Sequence, residues 1–145
     1  MRAFVTGGSG HVGGNLVREL LTRGFEVDCL VRSDVRSLEN LDVNLVTGDM
    51  LNAKQMAALM SDCDVVFHSA AFVAVEKINE DLMFKINVQG TQSIVTAAIE
   101  SGMNKLVHFS SIHAFEQNPT NEPLVENRPL VSDPRALPYD RSKAE

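Results

Sequence analysis

The chain is poor in the features that announce several classes of protein. It has two cysteines, Cys29 and Cys63, set in or beside apolar segments. Such cysteines pack as small hydrophobes; two of them make no disulfide framework, and no residues stand at metal-ligand spacing. Positive charge is in deficit, 13 lysines and arginines against 19 aspartates and glutamates, for a formal net charge of −6. No basic face is therefore offered to nucleic acid, and no block of like charge suggests a tail. Nothing approaches the roughly 18 consecutive apolar residues of a membrane span, so no membrane partner is expected. Met1 leads straight into a candidate strand without a signal-peptide pattern, and the expected compartment is the cytoplasm. Repeats and low-complexity tracts are missing. Ser110 and Ser111 have a histidine nearby but no strained glycine elbow around them, which argues against a hydrolase.

What is present is an ordinary globular composition, 145 residues with 44% hydrophobic and 22% charged, enough for one domain with a real core. The organising stretch is Thr6-Gly7-Gly8-Ser9-Gly10-His11-Val12-Gly13, between the apolar run Ala3-Phe4-Val5 and a segment with helical periodicity through Leu16, Val17, Leu20 and Leu21. A strand turning through glycines into a helix is a phosphate-binding device. Glycine permits the turn and the close approach of backbone to a pyrophosphate, and the helix start offers unpaired N–H groups and a partial positive charge. Gly7, Gly10 and Gly13 alone are a weak signal; their place at the head of a strand–helix unit is a stronger one.

Periodicity gives strands at Arg2–Val5, Phe25–Val31, Val43–Val46, Val65–Phe67 and Leu106–Phe109. Helices are expected over His11–Arg23 with Gly24 closing it, over Ala53–Met60 capped by Asn52, and over about Glu80–Ser101 with Gly102 closing it. The last of these carries Met83, Ile86, Gly90, Ile94 and Ala98 along one stripe. Arg32–Asn40 is polar, with room for one helical turn. All five prolines lie from Pro119 to Pro138, in a stretch of little pattern, after which Tyr139–Lys143 opens a helix. Regular alternation of strand and helix predicts an α/β fold, a doubly wound parallel sheet with helices on both faces. Ligands in such sheets bind at the carboxyl ends of the strands. Gly7, Val31-Arg32, Asp49, His68–Ala71 and Ser110-Ser111 all follow strands and should share that edge.

Thr6-Gly-x-x-Gly-x-x-Gly13, Asp49, His68-x-Ala-Ala71, Asn87-x-x-Gly-Thr91, Ser110-Ser111 and Tyr139-x-x-x-Lys143 occur in one order. Together they resemble the extended short-chain dehydrogenase/reductases, which include sugar-nucleotide epimerases and dehydratases and the dihydroflavonol-reductase and 3β-hydroxysteroid-dehydrogenase branches. The last two are the nearest in pattern. The resemblance implies a Rossmann-type sheet of about five strands in order 3-2-1-4-5 and a nicotinamide dinucleotide bound by Gly7, Ser9, Gly10, His11, Val12 and Gly13. His11 stands where the family often has an aromatic or aliphatic residue. Asp49 and Met50 would flank adenine, and Ala70 and Ala71 would leave room for the cofactor. Asn87, Gly90 and Thr91 look like the family's packing and hydrogen-bonding residues.

In the family an acidic residue ends the second strand when the cofactor is NAD. Here Val31 stands there, followed by Arg32, whose guanidinium suits a 2′-phosphate. NADP is therefore expected over NAD, with Arg36 in support, although a solvated loop charge is the plain alternative for Arg32. The resemblance makes Tyr139 the acid/base, Lys143 the cation that lowers the phenol's pKa and holds a cofactor ribose, and Ser111 the residue polarising the substrate oxygen. The phenol's reference pKa of about 10 is why such a cation is required, and Lys143 four residues on shares a helical face with it. Phe115 fits the family's aromatic after Ser111 loosely, and the usual next glycine is replaced by Glu116. His68 and His108 read as strand residues and His113 as a residue that edges the pocket.

Extended members are about twice this length, and the parts that would follow Lys143 bear the substrate domain. The chain is thus expected to be a Rossmann domain over residues 1–145, incomplete at its end, with residues beyond about Pro119 poorly anchored, little turnover of its own, and apolar faces prone to self-association. The expected activity is that of an NAD(P)-dependent oxidoreductase or an epimerase/dehydratase acting on a small molecule. The alternatives are a nucleotide sensor without chemistry and a sugar-nucleotide epimerase using NAD.

Overall fold

The computed structural model describes residues 1–73 and 79–145. They divide into two compact units: Met1–Ala71 with Gly90–Phe109, and Phe72–Gln89 with Ser110–Glu145. The strands are β1 (Arg2–Thr6), β2 (Glu26–Val31), β3 (Asn44–Thr47), β4 (Val65–His68) and β5 (Leu106–His108). The helices are α1 (His11–Thr22), α2 (Ala53–Met60), α3 (Glu80–Phe84), α4 (Gly90–Glu100) and α5 (Pro138–Ala144).

The first unit is a parallel sheet, as the strand pattern implies, in the order β3-β2-β1-β4-β5 that the family resemblance implies. Alternation along β1 shows how it is covered on both faces. Ala3 and Val5 pack with Val17 and Leu20 of α1, whereas Phe4 packs with Met56 and Met60 of α2 and with Ile94 and Ala97 of α4. A central strand buried on both sides reads as an unbroken apolar run, which is why Ala3-Phe4-Val5 shows no alternation in the sequence. Thr6 pairs in register with Leu30 and His68, and His68 with His108, so the carboxyl ends of four neighbouring strands form one row.

Helix ends follow the signals that mark them. Gly24, at φ 79°, sends its N–H to the Leu21 carbonyl, while the Phe25 N–H reaches that of Leu20. Gly102, at φ 72°, repeats the pattern, with its N–H on Ile99 and that of Met103 on Ala98. Both are the paired bonds of a helix closed by a left-handed residue. Asn52 caps α2 by accepting the Gln55 N–H at 3.1 Å.

Three departures from the sequence reading have identifiable causes. β3 begins at Asn44, because the Val43 N–H turns back to the Leu41 carbonyl. The single helix expected over 80–101 is three consecutive segments, with Lys85–Gln89 winding as a π-helix between α3 and α4. The wider turn moves the buried positions to Asn87 and Val88 in place of Ile86. The expectation of loose anchoring beyond Pro119 is also corrected, since the second unit holds that segment by its own bonds. Phe115 and Leu130 form an antiparallel bridge, and Val131 donates its N–H to Ala114 at 2.9 Å. The buried Arg128 guanidinium donates to the carbonyls of Pro119 and Pro123, each at 3.2 Å. An arginine fork bonding scattered carbonyls leaves no periodic trace.

A Cβ at Gly24 would meet nothing within 4 Å, so replacement there tests the backbone alone. Gly24→Ala should destabilise by about 1–2 kcal/mol through the left-handed conformation, read as a lower urea midpoint with an unchanged slope.

Candidate active site

The first unit builds the glycine corner by excluding side chains. Gly7 is at φ 74°, and a Cβ there would lie 2.6 Å from the Ala70 nitrogen. A Cβ on Gly13 would lie 2.0 Å from the Gly7 carbonyl oxygen, a distance no packing change relieves. Gly10 precedes α1, donates its N–H to Gly7 at 2.9 Å and accepts that of Gly14 at 2.8 Å. Among the described residues no side chain caps α1, and its first turn carries no acidic residue, although asparagines cap α2 and α3. The amides at the start of a 12-residue helix therefore face outward as donors, with the positive end of the helix dipole behind them. This is a cradle for an anion, and glycine bulk is all that fits it; the residues present suit a dinucleotide's diphosphate. His11 and Val12 are exposed on that turn, and Ser9 is fixed by the Ser37 hydroxyl, which donates to its carbonyl at 2.8 Å.

Around the corner, the Thr6 hydroxyl lies 2.6 Å from His68 Nδ1 and 3.3 Å from the Ala70 nitrogen. His68 Nε2 lies 2.9 Å from the Thr91 hydroxyl of α4. Ala70 is half-buried and Ala71 exposed. Asp49 is exposed; one carboxylate oxygen accepts the Leu51 N–H at 3.0 Å, and Met50 packs against the core at the same bend. Arg32 is exposed one residue beyond β2. Arg36 is not at hand as its helper: its fork grips Asp34 at 2.9 and 2.6 Å. That guanidinium holds the Asp34 carboxyl down to about 2.

The second unit carries the other three residues. Ser111 begins a short 3-10 turn, Ile112–Ala114, and its Oγ accepts the His113 N–H at 3.2 Å. α5 packs against that turn. Pro138 starts α5, where its missing N–H costs nothing. Tyr139 and Lys143 follow four apart on one face, and burial lowers the pKa of the Lys143 ammonium. Neighbours fasten the helix. Asn87 Nδ2 donates to the Ser142 hydroxyl at 3.0 Å and to the Phe72 carbonyl at 3.1 Å, while its Oδ1 accepts the Phe72 N–H at 2.7 Å. Arg141 bonds Glu80 and lies over the Phe84 ring, 5.4 Å from its centroid. His113 Nδ1 lies 3.2 Å from Asp140 Oδ1, and the His113 and Tyr139 rings meet edge-on, centroids 6.0 Å apart.

The sequence model of the NAD dependent epimerase/dehydratase family matches residues 3–145. The chain belongs to that family. It is 40% identical over 114 residues to a putative dihydroflavonol 4-reductase of Synechocystis, a match over 77% of this chain and 33% of that protein. Against a 3-beta-hydroxysteroid dehydrogenase of Mycolicibacterium neoaurum identity is 31%, over 95% of this chain and 37% of that protein. A solved UDP-glucose 4-epimerase of Thermus thermophilus in complex with NAD superposes with a TM-score of 0.82 at 30% identity, over 99% of this chain and 48% of that one. The chain thus spans less than half the length of these relatives.

For this epimerase/dehydratase family member, the residues expected at the nucleotide, Gly7, Ser9, Gly10, His11, Val12, Gly13, Arg32, Asp49, Met50, Ala70 and Ala71, fall in the first unit. Ser111, Tyr139 and Lys143 fall in the second. Ser110 is exposed, whereas Ser111 is half-buried and engaged in the turn. Sequence reasoning passed over the Thr6–His68–Thr91 chain and the His113–Asp140 pair. Their members lie 23 to 62 residues apart or more plainly across a loop, and no spacing rule joins them. Asp140, directly after Tyr139, was the one local hint.

Asn87, itself buried, satisfies both backbone groups of Phe72 and bonds the Ser142 hydroxyl. Asn87→Ala should cost about 1–3 kcal/mol, the usual penalty for a buried polar group left unpaired; chemical denaturation measures it.

Proposed function

We propose that this chain binds a nicotinamide dinucleotide at the Thr6–Gly13 corner, NADP in preference to NAD, and serves hydride transfer at a carbinol or carbonyl carbon of a small-molecule substrate. The observation that carries the reading is the uncapped start of α1 behind two glycines whose Cβ positions are already filled by backbone. The bound nicotinamide supplies a hydride donor or acceptor. The chain's own groups handle the oxygen. Tyr139 exchanges its phenolic proton with the substrate oxygen, Ser111 donates a hydrogen bond to that oxygen, and Lys143 stabilises the phenolate by its charge. Because burial lowers the Lys143 pKa, its charge is lost at a lower pH than an ordinary lysine's, and activity should fall on the alkaline side accordingly.

Arg32 supports NADP, since a planar guanidinium pairs with a phosphate through two parallel bonds. The exposed apolar residues Ile112 and Leu137, 64% and 62% exposed, adjoin the Ser111 turn and the start of α5. They favour an apolar ketone or alcohol over a sugar nucleotide. A second reading, an NAD-using sugar-nucleotide epimerase, draws on the likeness to the Thermus enzyme and on Asp34, a carboxylate three residues beyond β2 that neutralises Arg36.

Two measurements decide. Arg32→Ala should weaken NADP binding by about tenfold or more, the loss of charged hydrogen bonds worth about 1.5–3 kcal/mol, while NAD binding is unchanged; equal effects on both would favour the epimerase reading. In the chain continued to its relatives' length, Tyr139→Phe should reduce turnover by about 10²–10⁴ with cofactor affinity kept, the range for loss of a general acid/base. Unchanged turnover would remove Tyr139 as the acid/base, and nucleotide binding with no turnover in the parent would leave a nucleotide sensor.

A further inference from the structure

His113 is titratable, half-exposed, and plays no part in the hydride chemistry above. Its surroundings are nonetheless specific. Its backbone N–H is bound to Ser111 Oγ, its Nδ1 lies 3.2 Å from the mostly buried Asp140 carboxylate, and its ring meets the Tyr139 ring at 68° with centroids 6.0 Å apart. His113 therefore meets the proposed oxygen-polarising serine with its main-chain N–H and the proposed acid/base phenol with its ring.

We propose that His113 is a positioning residue for Tyr139, and that its protonation places a second, pH-dependent cation beside the phenol in addition to Lys143. This rests on the reading of Tyr139 as the acid/base. Asp140 orients the ring: when Nδ1–H donates to the carboxylate, Nε2 is left to take or release a proton at the half-exposed edge. The charged groups around it are few. From α5 come Asp140, which pairs with it; Arg141, committed to Glu80 of α3 and to the Phe84 ring; and Lys143. On its own side Glu116 follows the turn, its carboxylate accepting the Ser132 N–H at 3.2 Å. Of these, Asp140 is the carboxylate that recognises the imidazolium. With the ring neutral, the cation that shares α5's face with Tyr139 is Lys143, four residues on. With the ring protonated, the phenolate form gains a second stabilising charge, while the Asp140 contact tightens into an ion pair that holds α5 against the Ser111 turn.

The composition supplies a probe for this. Tyr139 is the single tyrosine and the chain has no tryptophan, so tyrosine emission reports this phenol and nothing else. Emission of the 145-residue chain should show a step between pH 5 and 8, the range in which imidazoles change charge. His113→Gln should lose the step with the circular dichroism spectrum unchanged, and His11→Gln, at an exposed histidine of the first unit, should keep it. A step that survives His113→Gln, or a parent chain with no step, overturns the proposal. If His113→Gln fails to fold, His113→Asn reads the same loss, and Asp140→Asn should alter the step while His11→Gln does not. A nucleotide titration at pH 7 runs beside these: absence of binding would defeat the proposed function while leaving the emission result to stand or fall by itself.

Discussion

Everything at the glycine corner depends on one close approach, that of the Gly7 carbonyl oxygen to the point where Gly13 would carry a side chain. The 2.0 Å separation there leaves no room for a methyl group. Because the first turn of α1 folds back this tightly on the end of β1, the Gly10 N–H reaches the Gly7 carbonyl and the helix starts without a capping side chain. A cap would consume the donors that a diphosphate needs. The corner is thus an economy of side chains: each one left out either permits the turn or leaves an amide for a ligand. β1 is the strand from which the corner springs, and its burial by α1 on one face and by α2 and α4 on the other holds that end rigid.

The polar row at the carboxyl ends of the strands adds a second constraint. Thr6 precedes the glycines, and its hydroxyl serves both His68 and the Ala70 amide. Through His68 it is tied on to Thr91 at the start of α4. A buried imidazole held at both nitrogens is fully satisfied, so this row is a fixed polar seam within an apolar sheet. His108 stacks on it from β5, ring centroids 5.2 Å apart. The root of the glycine corner is therefore set by hydrogen-bond geometry as well as by packing.

Much of the first unit was legible in the sequence because its rules are local. Apolar runs marked the strands and Gly24 and Gly102 the helix ends, and the left-handed φ at those two glycines is the physical content of the marks. Alternating elements with right-handed crossovers predict a parallel sheet, and its order is the one the family resemblance implies. What was illegible depends on partners distant in the chain. The π turn at Lys85–Gln89 exists where Asn87 is drawn inward to serve both backbone groups of Phe72, 15 residues away. Arg36 is a local case: Asp34, two residues off, accepts from both Nε and Nη2 of its fork, a pairing that no periodic pattern marks. The ordered loop from Ser110 to Leu137 rests on Arg128 and a single antiparallel bridge, neither of which has a period.

The same reasoning bears on the spacing of Tyr139 and Lys143. Four residues apart is a shared face only if the segment is helical, and α5 has seven residues. A helix of that length does not hold itself in water, since nucleation outweighs the few bonds that follow. Its geometry comes from outside. Asn87 bonds Ser142, Arg141 reaches Glu80 and Phe84, and Asp140 meets His113, so three consecutive residues between the phenol and the ammonium are each fastened to a different neighbour. Ser142 in turn donates back to the Tyr139 carbonyl at 2.8 Å. The Tyr-x-x-x-Lys pattern names the two groups of the proposed chemistry, but the three residues written as x are what make it a helix face. Loss of any one fastening should therefore act on Tyr139 and Lys143 together, as a change in their shared orientation, before it acts on the sheet of the first unit.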